Sequence, residues 1–203
     1  MKKIFFMLLG LALIPATAFA DAAVVSHLTG EPQLVRGGQT LTIKPGTQCQ
    51  TGDTLITSSG CNVDLALSNL AGCRVLPSSE CVITGTGNNM KVEIKKGNAI
   101  LNLRKLPAGS TFQVETPTAI ASVRGTQFWG RVVAENPVNP VTTFAVRRGM
   151  VDVLVKKAGK SFSLKKGDAL DIPLSATAAP SVRPALASEM KALEEAPSIK
   201  TSA

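Results

Sequence analysis

Gln113-Val114-Glu115-Thr116-Pro117-Thr118-Ala119-Ile120-Ala121-Ser122-Val123-Arg124-Gly125-Thr126-Gln127-Phe128-Trp129 reads as three short strands joined by two turns. Pro117 marks the first turn and Arg124-Gly125-Thr126 the second. The apolar residues on either side come in runs too short for helices and rich in β-branched and aromatic types. The stretch holds the single Trp of the chain.

Outward from it the same grammar continues. Upstream, Val24 to Leu28, Gln33 to Arg36, Thr40 to Ile43, Thr54 to Thr57 and Asn62 to Leu67 read as strands between Gly, Pro and Asp turns. In Val63, Leu65 and Leu67 the apolar residues alternate with others, as in a strand with one buried face. Arg74 to Leu76 and Cys81 to Thr84 flank Pro77-Ser78-Ser79. Met90 to Ile94 and Ala99 to Leu103 then flank Lys95-Lys96-Gly97-Asn98, which predicts a hairpin. Downstream, Thr143 to Val146 and Val151 to Val155 predict a second hairpin about Arg147-Arg148-Gly149. Ser161 to Leu164 and Ala169 to Leu174 close the series.

Three internal echoes support repetition. Val92 to Gly97 aligns with Phe144 to Gly149, Ala108 to Phe112 with Ala158 to Phe162, and Thr51 to Leu55 with Lys166 to Leu170. The expected fold is therefore all-β, a sandwich or roll of many short strands with an internal unit of about 50 residues. It spans residues 21–174. After Leu174 the composition turns to Ala, Pro and Ser. Leu186, Met190 and Leu193 mark a short amphipathic helix, either docked on the β-domain or part of a disordered tail.

Residues 1–20 have the form of a bacterial Sec-type signal peptide. Lys2 and Lys3 precede an apolar run from Ile4 to Ile14, and Thr17-Ala18-Phe19-Ala20 offers small residues for cleavage. No later run is long and apolar enough for a membrane span. The expected destination is the periplasm or the cell exterior, and export argues against nucleic acid as the partner of this basic chain. Its net charge of +8 falls to +6 once Lys2 and Lys3 leave. In an exported chain, Cys49, Cys61, Cys73 and Cys81 predict two disulfides, with Cys49–Cys61 and Cys73–Cys81 the simplest of three pairings. The spacings lack a C-x-x-C knuckle and the one His, His27, is remote, so no metal is expected.

No nucleophile and base fall into a catalytic arrangement. Asp53, Asp64, Asp152, Asp168 and Asp171 are scattered, and there is no phosphate loop. The expectation is a non-enzyme without a cofactor. Lys95-Lys96 and Arg147-Arg148 are expected to share one cationic edge if the two repeats stack, and with Trp129 they form the candidate partner surface. The competing reading is that these charges keep exposed turns soluble and block edge pairing.

The stretch quoted first resembles the hallmark of the FecR domain family: Thr116-Pro117, a small residue at Ala119, then Val123-Arg124-Gly125-Thr126 and an aromatic at Phe128. The Gly52-Asp53 step, the Val63-Leu65-Leu67 alternation, Arg148-Gly149-x-Val151 and Lys166-Gly167-Asp168 follow in family order. The resemblance covers about Gly46 to Leu174. It implies an all-β extracytoplasmic domain that acts by protein–protein contact, in sensing or signalling at the bacterial envelope. The chain departs from the family's membrane-crossing regulators in showing neither a cytoplasmic helical region nor an internal span. The alternative is a module that binds envelope polysaccharide or cell wall. Within the motif, Gly125 is expected to take a special backbone conformation and Phe128 to enter the core. Arg124 is expected to clamp neighbouring carbonyls, with partner contact as its other reading.

Overall fold

The computed structural model describes residues 21–68, 71–85, 89–133, 139–175 and 180–195. The expected signal peptide, residues 1–20, lies outside them, as do parts of the expected loops and linker at 86–88, 134–138 and 176–179.

The described strands are β1 (Asp21–Thr29), β2 (Gln33–Arg36), β3 (Gln39–Thr42), β4 (Gln48–Gln50), β5 (Thr54–Ile56), β6 (Asn62–Ser68), β7 (Ala71–Val75), β8 (Glu80–Thr84) and β9 (Asn89–Leu103). They continue with β10 (Thr111–Glu115), β11 (Ala119–Val123), β12 (Gln127–Val133), β13 (Val141–Arg148), β14 (Met150–Val155), β15 (Lys160–Lys165), β16 (Asp168–Pro173) and β17 (Arg183–Pro184). One helix, α1 (Ala187–Glu195), follows.

β9 orders the rest. Its first half pairs with β8 and, in parallel, with β10. Its second half pairs with β7 and β12. It therefore belongs to two sheets. The first runs β4-β1-β6-β7-β9-β12-β13-β16-β17, the second β3-β2-β5-β8-β9-β10-β11-β14-β15. Their inner faces make one core. Leu101, Phe128, Phe144 and Val146 enter from the first sheet, and Ile94, Val114, Val153 and Leu164 from the second. The period-two alternation read from the sequence supplies these faces; in β14, Val151, Val153 and Val155 point in and their neighbours out.

The chain winds around this core. β1 and β4 pair in the first sheet, while β2 and β3 between them pair in the second. The same path recurs in β7 to β9, in β9 to β12 and in β13 to β16.

Neither expected hairpin forms. Lys95 to Asn98 lie inside β9, where the strand bends from the second sheet to the first. Gly149 carries the chain from β13 in the first sheet to β14 in the second. Both glycines have positive φ, +84° and +85°, but the crossings run in opposite senses. The aligned segments are thus the same corner device, used in both directions. A second device is shared by Asp53 and Asp168. Each accepts a hydrogen bond from the backbone N–H three residues earlier, Gln50 at 2.7 Å and Lys165 at 2.8 Å.

No disulfide is present among the described residues either. All four cysteines are buried free thiols. Cys49 lies across from Ala23 near the start of β1, whereas Cys61 packs against Gly30 beyond its end. Seven residues of strand, roughly 20 Å, separate those places, and a disulfide needs Cα atoms within about 7 Å. Cys73 and Cys81 sit in different sheets, opposite Leu101 and Ile94. The chain between each pair crosses from sheet to sheet instead of turning back; this sets Cys49 far from Cys61, whereas Cys73 and Cys81 remain within electrostatic range of each other across the core. Burial pushes the Cys49 and Cys73 thiols up to about 12, so they stay protonated.

Of the two readings of the C-terminal segment, the structure shows docking. β17 extends the first sheet and α1 lies on its outer face. Arg183 ties the two together. It donates to Asp171 through Nε at 2.6 Å and Nη2 at 3.0 Å, and to Glu189 through Nη1 at 3.0 Å and Nη2 at 2.8 Å. Hydrogen bonds from Arg183 hold Asp171 below the usual carboxylate range. Burial pushes Glu189 upward, but Arg183 and the Leu186 N–H together bring it below its ordinary value. A depressed carboxylate contributes stability above its unfolded value, about 4, and loses it as pH falls through the folded value. Acid should therefore loosen α1. Trp129 fluorescence should stay constant from pH 7 to about 5 and shift to the red only below about 4. A red shift that starts near neutrality would contradict this assignment.

Candidate functional site

The Arg124-Gly125-Thr126 turn joins β11 to β12 at a place where three chain segments meet. The Leu103 N–H donates to the Thr126 carbonyl at 2.9 Å, and the Thr126 hydroxyl donates to the Met150 carbonyl at 2.8 Å. Gly125 has φ +122°, and a Cβ there would sit 3.1 Å from the Lys105 Cα. A Cβ at Gly149 would come within 2.7 Å of the Gly125 carbonyl oxygen. The turn thus locks the end of β9 and the β13–β14 crossing against each other. Thr126 and Phe128 are buried, and the Phe128 ring packs at a tilt on Phe144, 6.3 Å between centroids. Thr116 is also buried. Its hydroxyl accepts from Thr142 at 3.0 Å, fixing the Pro117 turn to β13. Val123 lies in the core and Pro117 is exposed.

Arg124 departs from the clamp expected of it. It is exposed and has no hydrogen-bond or ion-pair partner among the described residues. The turn turns it outward because Gly125 and Thr126 fill the space on the inner side. Two surface grooves meet at it, sharing Ser110, Thr111 and Arg124. One, of about 560 Å³, runs over Gln113, Ser122 and Asp152 on the outer face of the second sheet, with half-exposed Met150 beside it. The other, of about 410 Å³, lies along Lys105 to Gly109. Arg104 and Lys105 are exposed beside the same turn, again unpaired among the described residues. Arg148 lies across from Gln127 and donates to Asn102 at 3.0 Å. The result is a cationic corner of Arg104, Lys105, Arg124 and Arg148 over two grooves.

This is a different edge from the expected one. Gly97 lies across from Val132, and Asn102 across from Gln127, so Lys95-Lys96 and Arg147-Arg148 stand at opposite ends of the first sheet. Roughly five residues, about 17 Å along the strand, separate them. Lys95 pairs with Glu80 at 3.5 Å, while Lys96 is exposed. Arg147 is spent inside the molecule, donating to the Leu193 carbonyl at 2.9 Å at the end of α1. Trp129 is 7% exposed beneath the same helix and offers no free surface. Arg104 and Lys105 were missed in the sequence because nothing local links them to the Arg124 turn. Only the return of β12 beside β9 brings them to Arg124.

The scattered carboxylates have structural partners. Arg36 binds Asp53, Arg74 binds Asp64, Ser163 donates to Asp152, and Arg183 and Thr143 donate to Asp171. His27 is exposed on β1 across from Asp64. Among the described residues no group of three or more His, Cys, Asp or Glu side chains is placed to hold a metal ion, and no helix is long and apolar enough to cross a membrane.

The FecR protein family profile matches residues 53–152, about half of the chain and including the whole Arg124 turn. The chain carries a FecR domain. Two crystal structures of a protein described as an anti-sigma factor, from Parabacteroides distasonis ATCC 8503, share the fold with TM-scores of 0.58. Each is 17% identical over 70% of this chain, and this chain covers 64% and 65% of their lengths. No curated protein matches the sequence. The FecR domain has its Gly125 and Thr126 packed between strands and its Arg124 in solvent, so the motif divides into two inward residues and one outward one.

Proposed function

We propose that this FecR-domain chain is a regulatory module exported to the periplasm or cell surface, and that it acts by binding a protein partner through the Arg104–Lys105–Arg124–Arg148 corner. The observation that carries the reading is Arg124 itself. The fold makes no use of its charge, yet the turn that presents it is built from two packed residues and sits between two grooves. An unpaired guanidinium is a forked donor suited to a carboxylate, and three further cations around it favour an acidic segment. Likeness to the anti-sigma factor structures supports the fold in which this corner is held, and the FecR profile supports a regulatory role.

Envelope extract passed over the immobilised mature chain supplies the test. Arg124→Glu with Lys105→Glu should reduce the retained protein partner at least tenfold, and salt should weaken the wild-type interaction in the same direction. Unfolding free energy should move by less than about 0.5 kcal/mol, since both side chains are exposed and unpaired. Undiminished retention by the double variant would refute the assignment. Retention on insoluble cell wall, lost in the same variant, would instead support the envelope-polymer reading of these cations.

A further inference from the structure

The outer faces of the two sheets differ. On the second sheet, Gln113, Ser122, Asp152 and Ser163 lie side by side in a polar row. On the first sheet, the row Arg74, Ile100, Trp129, Ala145, Ala169, Arg183 crosses six strands. It has an arginine at each end and four apolar residues between. Large Ile100 and Trp129 beside small Ala145 and Ala169 make a trough, and α1 lies in it with Leu193 fully buried.

α1 is a poor permanent cover. Its nine residues are too few to hold a helix alone, so its order depends on the trough. Leu186, at its entrance, is 56% exposed. Besides Leu193 and Met190 in the trough, its attachments are polar contacts at the two ends: Arg183 on Glu189, and Arg147 with Gln127 on the Leu193 carbonyl. Under it, the buried Trp129 indole N–H has no hydrogen-bond partner among the described residues. A buried donor left unsatisfied costs more than a satisfied one returns, so a cover that supplied an acceptor would bind better than α1 does.

We propose that this trough is a recognition site for an acidic amphipathic helix of a partner protein, and that α1 is a resident stand-in which such a helix displaces. α1 itself displays the chemistry the site accepts. It places Met190 and Leu193 three residues apart on the trough, Glu189 on Arg183, and its last carbonyls toward Arg147. The incoming helix has the same apolar pair and leading carboxylate, plus an acceptor over Trp129. Because α1 is tethered, it competes at an effective concentration of the order of millimolar, so displacement requires a tighter helix or prior loosening of the Arg183 contacts. The site stands apart from the Arg124 corner and does not depend on it.

The single Trp reports directly on the trough. In the mature full chain, Leu193→Asp should expel α1, shift Trp129 emission to the red and raise its quenching by acrylamide. A synthetic peptide of residues 184–196 should then restore the wild-type emission in a saturable way. The same peptide carrying Leu193→Asp, or a scrambled one of equal composition, should not. Arg147→Glu in the protein should raise the half-saturating peptide concentration at least tenfold, whereas Arg124→Glu should leave it unchanged. Leu193→Ala, a milder opening, should give a partial shift that the peptide also reverses, which guards against misfolding of the Asp variant. Unchanged emission in both Leu193 variants, no response to the peptide, or equal rescue by the scrambled sequence would each overturn the proposal.

Discussion

Gly97→Ala should cost about 2–5 kcal/mol of unfolding free energy, from backbone strain of about 1–2 and overpacking of about 1–3. Gly97 has φ +84°, and an added Cβ would stand 2.3 Å from the Ser79 Oγ, 2.5 Å from its Cα and 2.6 Å from the Ser78 carbonyl oxygen. Two of those three atoms are backbone and have no rotamer to escape into. Ser79 is also 2% exposed and serves as a junction. Its hydroxyl accepts from the Asn98 N–H at 2.8 Å, and its own N–H donates to the Thr57 hydroxyl at 2.9 Å. Moving it aside would break the corner between β7 and β8. Gly167→Ala is the control. Gly167 has φ +87° but open space around its Cα, so strain alone should cost about 1–2 kcal/mol. Equilibrium unfolding in urea measures both, and equal losses at the two sites would remove the packing argument.

Asp64→Ala should be comparably damaging, by about 3–5 kcal/mol, for an electrostatic reason. Asp64 and Arg74 form a two-pronged ion pair whose side chains are only 10% and 13% exposed. Deleting the carboxylate leaves a guanidinium largely out of water with no counter-charge. The pair itself is not expected to be strongly stabilising, because desolvation offsets most of its attraction. Asp64→Leu combined with Arg74→Met should therefore recover most of the loss, to within about 1 kcal/mol of the wild type or above it. A double variant as unstable as Asp64→Ala would show that the pair contributes more than its desolvation costs.

Much of the strand content was legible because alternation is a local property. Val63-Leu65-Leu67 and Val151-Val153-Val155 declare a buried face within a few residues, and their positions follow from it. The Arg124 turn was legible as a motif for a similar reason, since Gly and Pro punctuate locally. What each strand pairs with is not local. Lys95-Lys96-Gly97-Asn98 has the composition of a hairpin turn, yet β8 and β7 occupy the places that the two arms of β9 would have given each other. The Cys49–Cys61 pairing fails by the same route, since the chain between these neighbours crosses to the other sheet and back. That Arg124 makes no clamp was visible only once the structure showed which side of the turn Thr126 fills. The docking of α1 could not be read from its weak periodicity, because the alanines that make room for Leu193 belong to β13 and β16.

β9 also separates kinship from cooperativity. Residues 53–152 suffice to reveal the relationship to other FecR proteins, but a fragment with those limits would lack β1 beside β6, β2 beside β5, β16 beside β13 and β15 beside β14. Each of its sheets would be stripped at both margins, with rows of unpaired backbone groups open to other chains. A strand held in common by both sheets likewise leaves no half able to melt while the other stays intact. Inheritance in this molecule can be traced through its middle, whereas the sharing of β9 predicts one cooperative unfolding transition from β1 to β16.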